Sequence, residues 1–106
     1  MDLTTEHQGN QFTAFLSGQL KYQDNTEFRR LIEEINAAKV RNCVFDLSQL
    51  TAIDSAGLGM LVIASDNSET HGWEIVLRGV KGQVRKVLDL SRFDKLMTVI
   101  PDPSGE

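Results

Sequence analysis

Between Gln11 and Gly18 the apolar residues Phe12, Ala14 and Leu16 alternate with the polar Thr13 and Ser17. This period of two predicts a half-buried strand that ends at Gly18 and lies at or near a sheet edge. After Asp24 the period changes, and Phe28, Leu31, Ile32 and Ile35 recur at i, i+3, i+4 and i+7. An amphipathic helix follows, which Asp24, Asn25 or Thr26 can cap and whose positive end suits Glu27. Its outer face carries Arg29, Arg30, Glu33 and Glu34, a solvated surface in which each Arg-to-Glu pair at i, i+4 is worth at most about 0.3 kcal/mol. Residues 43–47 run without clear alternation, which predicts a central strand covered on both faces. Next, Leu58, Leu61, Val62 and Ser65 share one helical face while Met60, Ile63 and Ala64 make much of the remainder apolar, so a second, largely buried helix is expected.

His71-Gly72 is a stop signal, Glu74–Arg78 reads as the next strand, and Gly79 to Gly82 is a connecting turn. Val84, Val87, Leu88 and Ser91 restore the helical spacing, followed by Phe93, Leu96 and Met97 and then the short apolar run Val99-Ile100. Residues 101–106 hold both prolines and no large apolar side chain, so they are expected to form a flexible tail that burial cannot order. Strands and helices alternate after residue 38, and this order predicts an α/β domain whose right-handed crossovers lay helices on one or both faces of a mixed sheet.

Length and charge narrow the field further. A chain of 106 residues fits one domain, and a domain of this size buries roughly two-thirds of its unfolded surface. A net charge of −4 offers no general attraction to a phosphate backbone or to anionic lipid, which argues against nucleic acid and membrane partners. Nothing approaches the roughly 20 apolar residues that cross a bilayer, and Met1–Glu6 lacks the basic-then-apolar order of a signal peptide, so a cytoplasmic setting is expected. The single cysteine, Cys43, sits among Val44 and Phe45 and reads as a core residue in a reducing compartment.

Candidate chemistry concentrates at Asp54-Ser55-Ala56-Gly57-Leu58-Gly59-Met60, which places a hydroxyl where a buried strand turns into a helix. The first N–H groups of a helix and its dipole make such a spot electropositive by roughly half an elementary charge. Taken alone, Asp54 or Ser55 serves as an N-cap and the glycines let the helix lie close on the sheet. Alternatively, with no Cβ, Gly57 and Gly59 bare the first turn so that a partner backbone or a nucleotide phosphate can reach Ser55. Each glycine costs a helix about 1 kcal/mol, so two in one turn call for a reason. His7 and His71 have no ligand-type residues at metal-binding spacing. Asp46, Asp54 and Asp66 lack an accompanying histidine or arranged nucleophile, so neither catalysis nor a resident metal or cofactor is expected. Trp73 beside Gly72 reads as a packing residue at the start of a strand.

Ahead of the serine, Val44-Phe45-Asp46-Leu47-Ser48-Gln49-Leu50-Thr51-Ala52-Ile53, together with Leu16-Ser17-Gly18-Gln19-Leu20 upstream, resembles the STAS family, small bacterial domains that include the anti-sigma factor antagonists. The resemblance runs from about Gln8 to Ile100. It implies a single STAS-like α/β domain over 1–100, with a four- to five-stranded mixed sheet and helices packed largely on one face. In that family the serine directly after the aspartate is the phosphoacceptor, which here is Ser55. The implied partner surface comprises Asp54, Ala56, Gly57, Leu58 and Gly59 with the loop Lys21, Tyr22, Gln23 and Asp24. The implied partners are an anti-sigma factor that is also a serine kinase, supplying ATP and Mg²⁺, and a PP2C-type serine phosphatase.

The chain would then be a substrate and not an enzyme. A phosphate adds about −1.5 to −2 charges. Stabilised by the helix start by about 1 kcal/mol and opposed by Asp54, it would leave the fold nearly intact. Against a closely packed partner the same charge costs several kcal/mol unless it is paired. Two positions depart from the usual antagonist pattern: Ala56 replaces a second serine, and Lys21 replaces an acidic residue, which implies a partner of different electrostatics. A constitutive adaptor subunit of a transport, sensory or surface-attachment assembly is the alternative, whereas a small flavodoxin-like enzyme lacks its Gly-rich phosphate loop.

Overall fold

The computed structural model describes residues 1–103. The chain runs β1 (Asp2–Gln8), β2 (Gln11–Leu20), α1 (Asn25–Ala38), β3 (Asn42–Ile53), α2 (Ser55–His71), β4 (Glu74–Val80), α3 (Gly82–Leu90) and β5 (Thr98–Pro101). Single turns of 3₁₀ helix lie at Tyr22–Asp24 and Phe93–Lys95. The sheet order is β1-β2-β3-β4-β5, with β1 antiparallel to β2 and every later pair parallel. Because β2 to β5 follow one another in space as in sequence, right-handed crossovers put all three helices on the same face.

That arrangement explains the burial pattern, and it corrects the expectation that residues 43–47 are covered on both faces. Cys43, Phe45 and Leu47 are buried under the helices, while Val44 and Asp46 stand half-exposed on the opposite, open face. The covered face is completed by Phe12, Ala14 and Leu16 of β2 and by Ile75 and Leu77 of β4. Phe28 of α1 meets Phe45 edge-on, with ring centroids 5.8 Å apart, a geometry that suits the ring quadrupoles. All four periodic positions of α1, namely Phe28, Leu31, Ile32 and Ile35, are buried as predicted. On its outer face Arg29 donates through Nε to Asn25 Oδ1 at 3.2 Å.

A first strand that periodicity does not announce is β1. It pairs with β2 from Asp2↔Ser17 to Gln8↔Gln11, so the predicted strand is second from the edge. Its hairpin closes over Gly9 and Asn10, and Gly9 has φ 56°, as the first position of a tight two-residue hairpin loop requires. The inward side of β1 is Leu3, Thr5 and His7, too polar to alternate visibly.

The buried side of α2 also differs from expectation. Gly57, Met60, Leu61, Ala64, Ser65 and Ser68 are buried, whereas Val62 is exposed. Gly72 ends this helix in the left-handed conformation (φ 77°), donating its N–H to Ser68 O at 2.9 Å. Trp73 is buried at the start of β4, where its indole N–H donates to Asn36 Oδ1 at 2.9 Å. Asn36 Nδ2 in turn donates to Asn67 Oδ1 at 3.0 Å, tying α1, α2 and β4 together. The expectation of a flexible tail from residue 101 is corrected at its first residues. Pro101 belongs to β5, and the Asp102 N–H donates to Val80 O at 2.9 Å. The remainder of that tail, residues 104–106, lies outside the described residues.

Candidate functional site

The site is built at the far end of β3, where the strand outruns its neighbour. Pairing with β4 stops at Asp46↔Arg78, while pairing with β2 continues to Ile53↔Leu20 through two register shifts. At the first shift Asp46 folds the chain onto itself. Its Oδ1 accepts the Ser48 N–H at 3.0 Å and the Ser48 hydroxyl at 2.6 Å, and its Oδ2 accepts Nε and Nη2 of Arg78 at 3.1 and 2.8 Å. Burial works to raise the Asp46 pKa, but the two Ser48 donors and Arg78 outweigh it, so the carboxyl lies below the usual carboxylate range. Beside this bulge Gly79 adopts φ 78°, and a Cβ there would stand 2.9 Å from Ser48 Cβ. The Asp-Leu-Ser stretch and Gly79 therefore shape the strand that delivers the serine.

After Ile53 the backbone leaves the strand at Asp54, the N-cap of α2. Its Oδ1 accepts the Gly57 N–H at 2.8 Å and its carbonyl accepts the Leu58 N–H at 3.0 Å, satisfying the first donors of the helix. Asp54, and not Ser55, takes the capping role. Ser55 is the first helical residue; it is exposed, and its hydroxyl makes no hydrogen bond among the described residues. Ala56 and Leu58 are half-buried.

The two glycines part company. Gly57 is buried against the sheet, and a Cβ on it would lie 2.5 Å from Leu20 O and 2.6 Å from Ile53 Cγ1. Gly59 is exposed with nothing within 4 Å of a built Cβ. Of the pair, Gly59 bares the helix outward and Gly57 lets the helix approach the sheet. Ser55, Gly59, Val62 and Asp66, at i, i+4, i+7 and i+11, form one exposed stripe.

The predicted loop meets this turn, because the Asp54 N–H donates to Leu20 O at 3.3 Å. Lys21 is half-buried, while Tyr22 and Gln23 are exposed, Tyr22 to 72%. Asp24 is withdrawn from the surface. Its Oδ2 accepts the Lys21 N–H at 2.9 Å and its Oδ1 binds the Met1 α-ammonium at 3.1 Å. Burial raises its pKa, yet the Lys21 N–H and the ammonium outweigh this and hold the carboxyl low.

A residue that periodicity did not single out completes the turn. The Gln83 side chain of α3 accepts the Ile53 N–H on Oε1 at 3.0 Å and donates from Nε2 to Ile53 O at 3.1 Å. Only its position after Gly82, near a helix start, could have drawn notice. Asp46, Asp54 and Asp66 do not assemble into an acid–base set: the first two are committed as described and Asp66 lies exposed on α2. His7 bonds Gly9 O through Nε2 at 3.1 Å. Among the described residues no three His, Cys, Asp or Glu side chains are placed to hold a metal ion, and no helix is long and apolar enough to cross a membrane. Cys43 is buried, and burial pushes its thiol up to about 12.

Known proteins resemble this chain in sequence and in fold. A STAS-domain-containing protein of Pseudomonas aeruginosa (strain UCBPP-PA14) is 31% identical over 91 residues, spanning 86% of this chain and 89% of that one. An anti-sigma F factor antagonist of Paenibacillus polymyxa is 26% identical over 100 residues, spanning 93% and 86%. In fold, the crystal structure of an anti-sigma factor antagonist from Mycobacterium paratuberculosis superposes with a TM-score of 0.79 at 21% identity, covering 97% of this chain and 87% of that one. The family profile described as the STAS domain matches residues 2–104. With the strand order, the Asp-Leu-Ser bulge and the capped serine turn, this match makes the chain a member of the STAS domain family, related to the anti-sigma factor antagonists.

Proposed function

We propose that this protein is an anti-sigma factor antagonist controlled by phosphorylation at Ser55. Unmodified, it binds an anti-sigma factor that is also a serine kinase and so releases the sigma factor. A phosphate on Ser55 ends that binding, and a PP2C-type serine phosphatase restores it, all within the cytoplasm. The observation that carries this reading is the free, exposed hydroxyl of Ser55 at the start of α2. A kinase can reach it without unfolding the turn. The cap stays with Asp54, so modification leaves the helix start in place.

The same geometry supports a docking surface around Ser55. The stripe Ser55, Gly59 and Val62 offers a bare, uncharged track that ends at Asp66, and Tyr22 and Gln23 stand exposed on the loop joined to it through Leu20. An added charge of about −1.5 to −2 on that track must be paired or desolvated when a partner packs over it, which costs several kcal/mol. Lys21 gives the loop a positive charge, which fits a partner with an acidic facing surface. Asp24, held inside by Lys21 and Met1, supports the loop and does not meet the partner directly.

The test is capture of the kinase-type anti-sigma factor encoded in the same genome. Ser55→Ala should bind it constitutively and Ser55→Asp should lose binding by at least about tenfold. Equal binding by both variants ends the switch reading. Binding by both, with no added phosphate on protein from cells lacking the phosphatase, would favour the constitutive adaptor.

A further inference from the structure

The end of β3 lacks the neighbour that holds the rest of the strand. Its last pairing with β4 is Asp46↔Arg78, after which β4 turns away through Gly79 and Val80 into α3. On its other side β3 remains paired with β2 as far as Ile53↔Leu20. In a parallel ladder the N–H and C=O of one residue point to the same side. At Ile53 both groups point to where β4 would be, and both are taken by the Gln83 amide, at 3.0 and 3.1 Å. A side-chain amide has the donor and acceptor of a peptide unit. Gln83 thus stands in for one residue of the missing strand.

We propose that Gln83 is the positioning residue of the Ser55 turn: its two-point clamp on Ile53 fixes the height at which Asp54 and Ser55 leave the sheet. Ile53 is directly followed by the cap, so any slack at its backbone passes to Asp54 Oδ1 and to the Gly57 N–H that it holds at 2.8 Å. On the opposite side the ladder with β2, which ends in the Asp54 N–H to Leu20 O bond of 3.3 Å, holds the neighbours of Ile53 but leaves its own N–H and C=O to the clamp. Gly82 and Gln83 are exposed at the first turn of α3. Gln83 thereby acts on the docking surface through Ile53 and not by contact with Ser55. This inference rests on reading the Ser55 turn as that surface.

The experiment needs no partner. Gln83→Met keeps side-chain volume and removes both hydrogen bonds, and Gln83→Ala repeats the loss with a smaller side chain. Residue-resolved amide hydrogen exchange is compared among these and the parent protein. A second readout is a thiol introduced by Ser55→Cys in each background, titrated by its reaction rate with a disulfide reagent. Cys43 stays silent because it is wholly buried and its thiol is pushed up to about 12. A thiol at an aligned helix start is acidified relative to the free value of about 8.5.

Without the clamp, exchange at Ile53 and Gly57 should quicken about tenfold. The thiol midpoint should rise, and the amides of Phe28 and Leu77 should keep their protection. Unchanged exchange at Gly57, an unmoved thiol midpoint, or a uniform quickening across α1 and β4 would each overturn the proposal. None of these outcomes depends on phosphorylation. The clamp can thus fail while the switch stands, and the switch can fail while the clamp stands.

Discussion

Gly57 lies so close to Leu20 that a Cβ on it would stand 2.5 Å from the Leu20 carbonyl oxygen. A backbone oxygen at the end of β2 cannot step aside as a flexible side chain would. The helix must therefore shift outward or the strand must bend. Gly57→Ala should cost about 1 kcal/mol net, since overpacking of about 2 kcal/mol exceeds the roughly 1 kcal/mol that alanine returns in helix propensity. Gly59→Ala, which meets open space, should gain up to about 1 kcal/mol. Urea unfolding of the two variants checks both signs.

Asp46 and Arg78 make the stability of the serine-delivering strand depend on acid. The folded Asp46 carboxyl titrates below its unfolded value. The stability it adds is therefore complete above the unfolded pKa of about 3.9 and is lost as the pH falls through the lower folded value. Asp46→Asn should flatten the loss of stability below about pH 4. At neutral pH it should cost about 1 kcal/mol, a figure kept small because the Arg78 side chain is 43% exposed. Unfolding midpoints measured from pH 7 down to pH 2 test the difference.

Asn36 joins α1 to both the Trp73 indole and Asn67. Asn36→Ala leaves a buried indole N–H without its acceptor, at a cost of about 1–3 kcal/mol. Trp73 is the only tryptophan in the chain, so its fluorescence emission reports the change directly. An unaltered spectrum together with unaltered stability would contradict the network.

What the sequence disclosed depended on how one-sided each element is. Phe28, Leu31, Ile32 and Ile35 announced α1 and its buried face because the rest of that helix is polar or small. In α2, Val62 and Ile63 are as apolar as Met60 and Leu61, so the pattern identified a helix without identifying which side of it faces the sheet. The Asp54-Ser55 junction was legible because a strand pattern breaks there into a helical one. The unequal roles of Gly57 and Gly59 were not, since a missing Cβ has the same meaning in sequence whether it faces a carbonyl or solvent. Gln83 was hidden for a related reason: polar and on the solvent side of α3, it acquires its role from a bond to Ile53 across thirty positions of chain.

Asp54 and Ser55 are adjacent, yet they should respond unequally to removal of their side-chain oxygens. Asp54 Oδ1 satisfies the Gly57 N–H at 2.8 Å, and Asp54→Ala should cost about 1 kcal/mol through loss of the N-cap. Ser55 is exposed and its hydroxyl bonds to nothing among the described residues, so Ser55→Ala should stay within about 0.5 kcal/mol of the parent. Ser55→Asp adds a negative charge at the positive end of α2, where a gain of up to about 1 kcal/mol is set against repulsion from Asp54. Its stability should therefore also stay within about 0.5 kcal/mol of the parent. Thermal unfolding of the three variants separates a residue that builds the turn from one that the turn presents. If Ser55→Ala were as damaging as Asp54→Ala, the hydroxyl would be part of the scaffold and would not be free for another protein to modify.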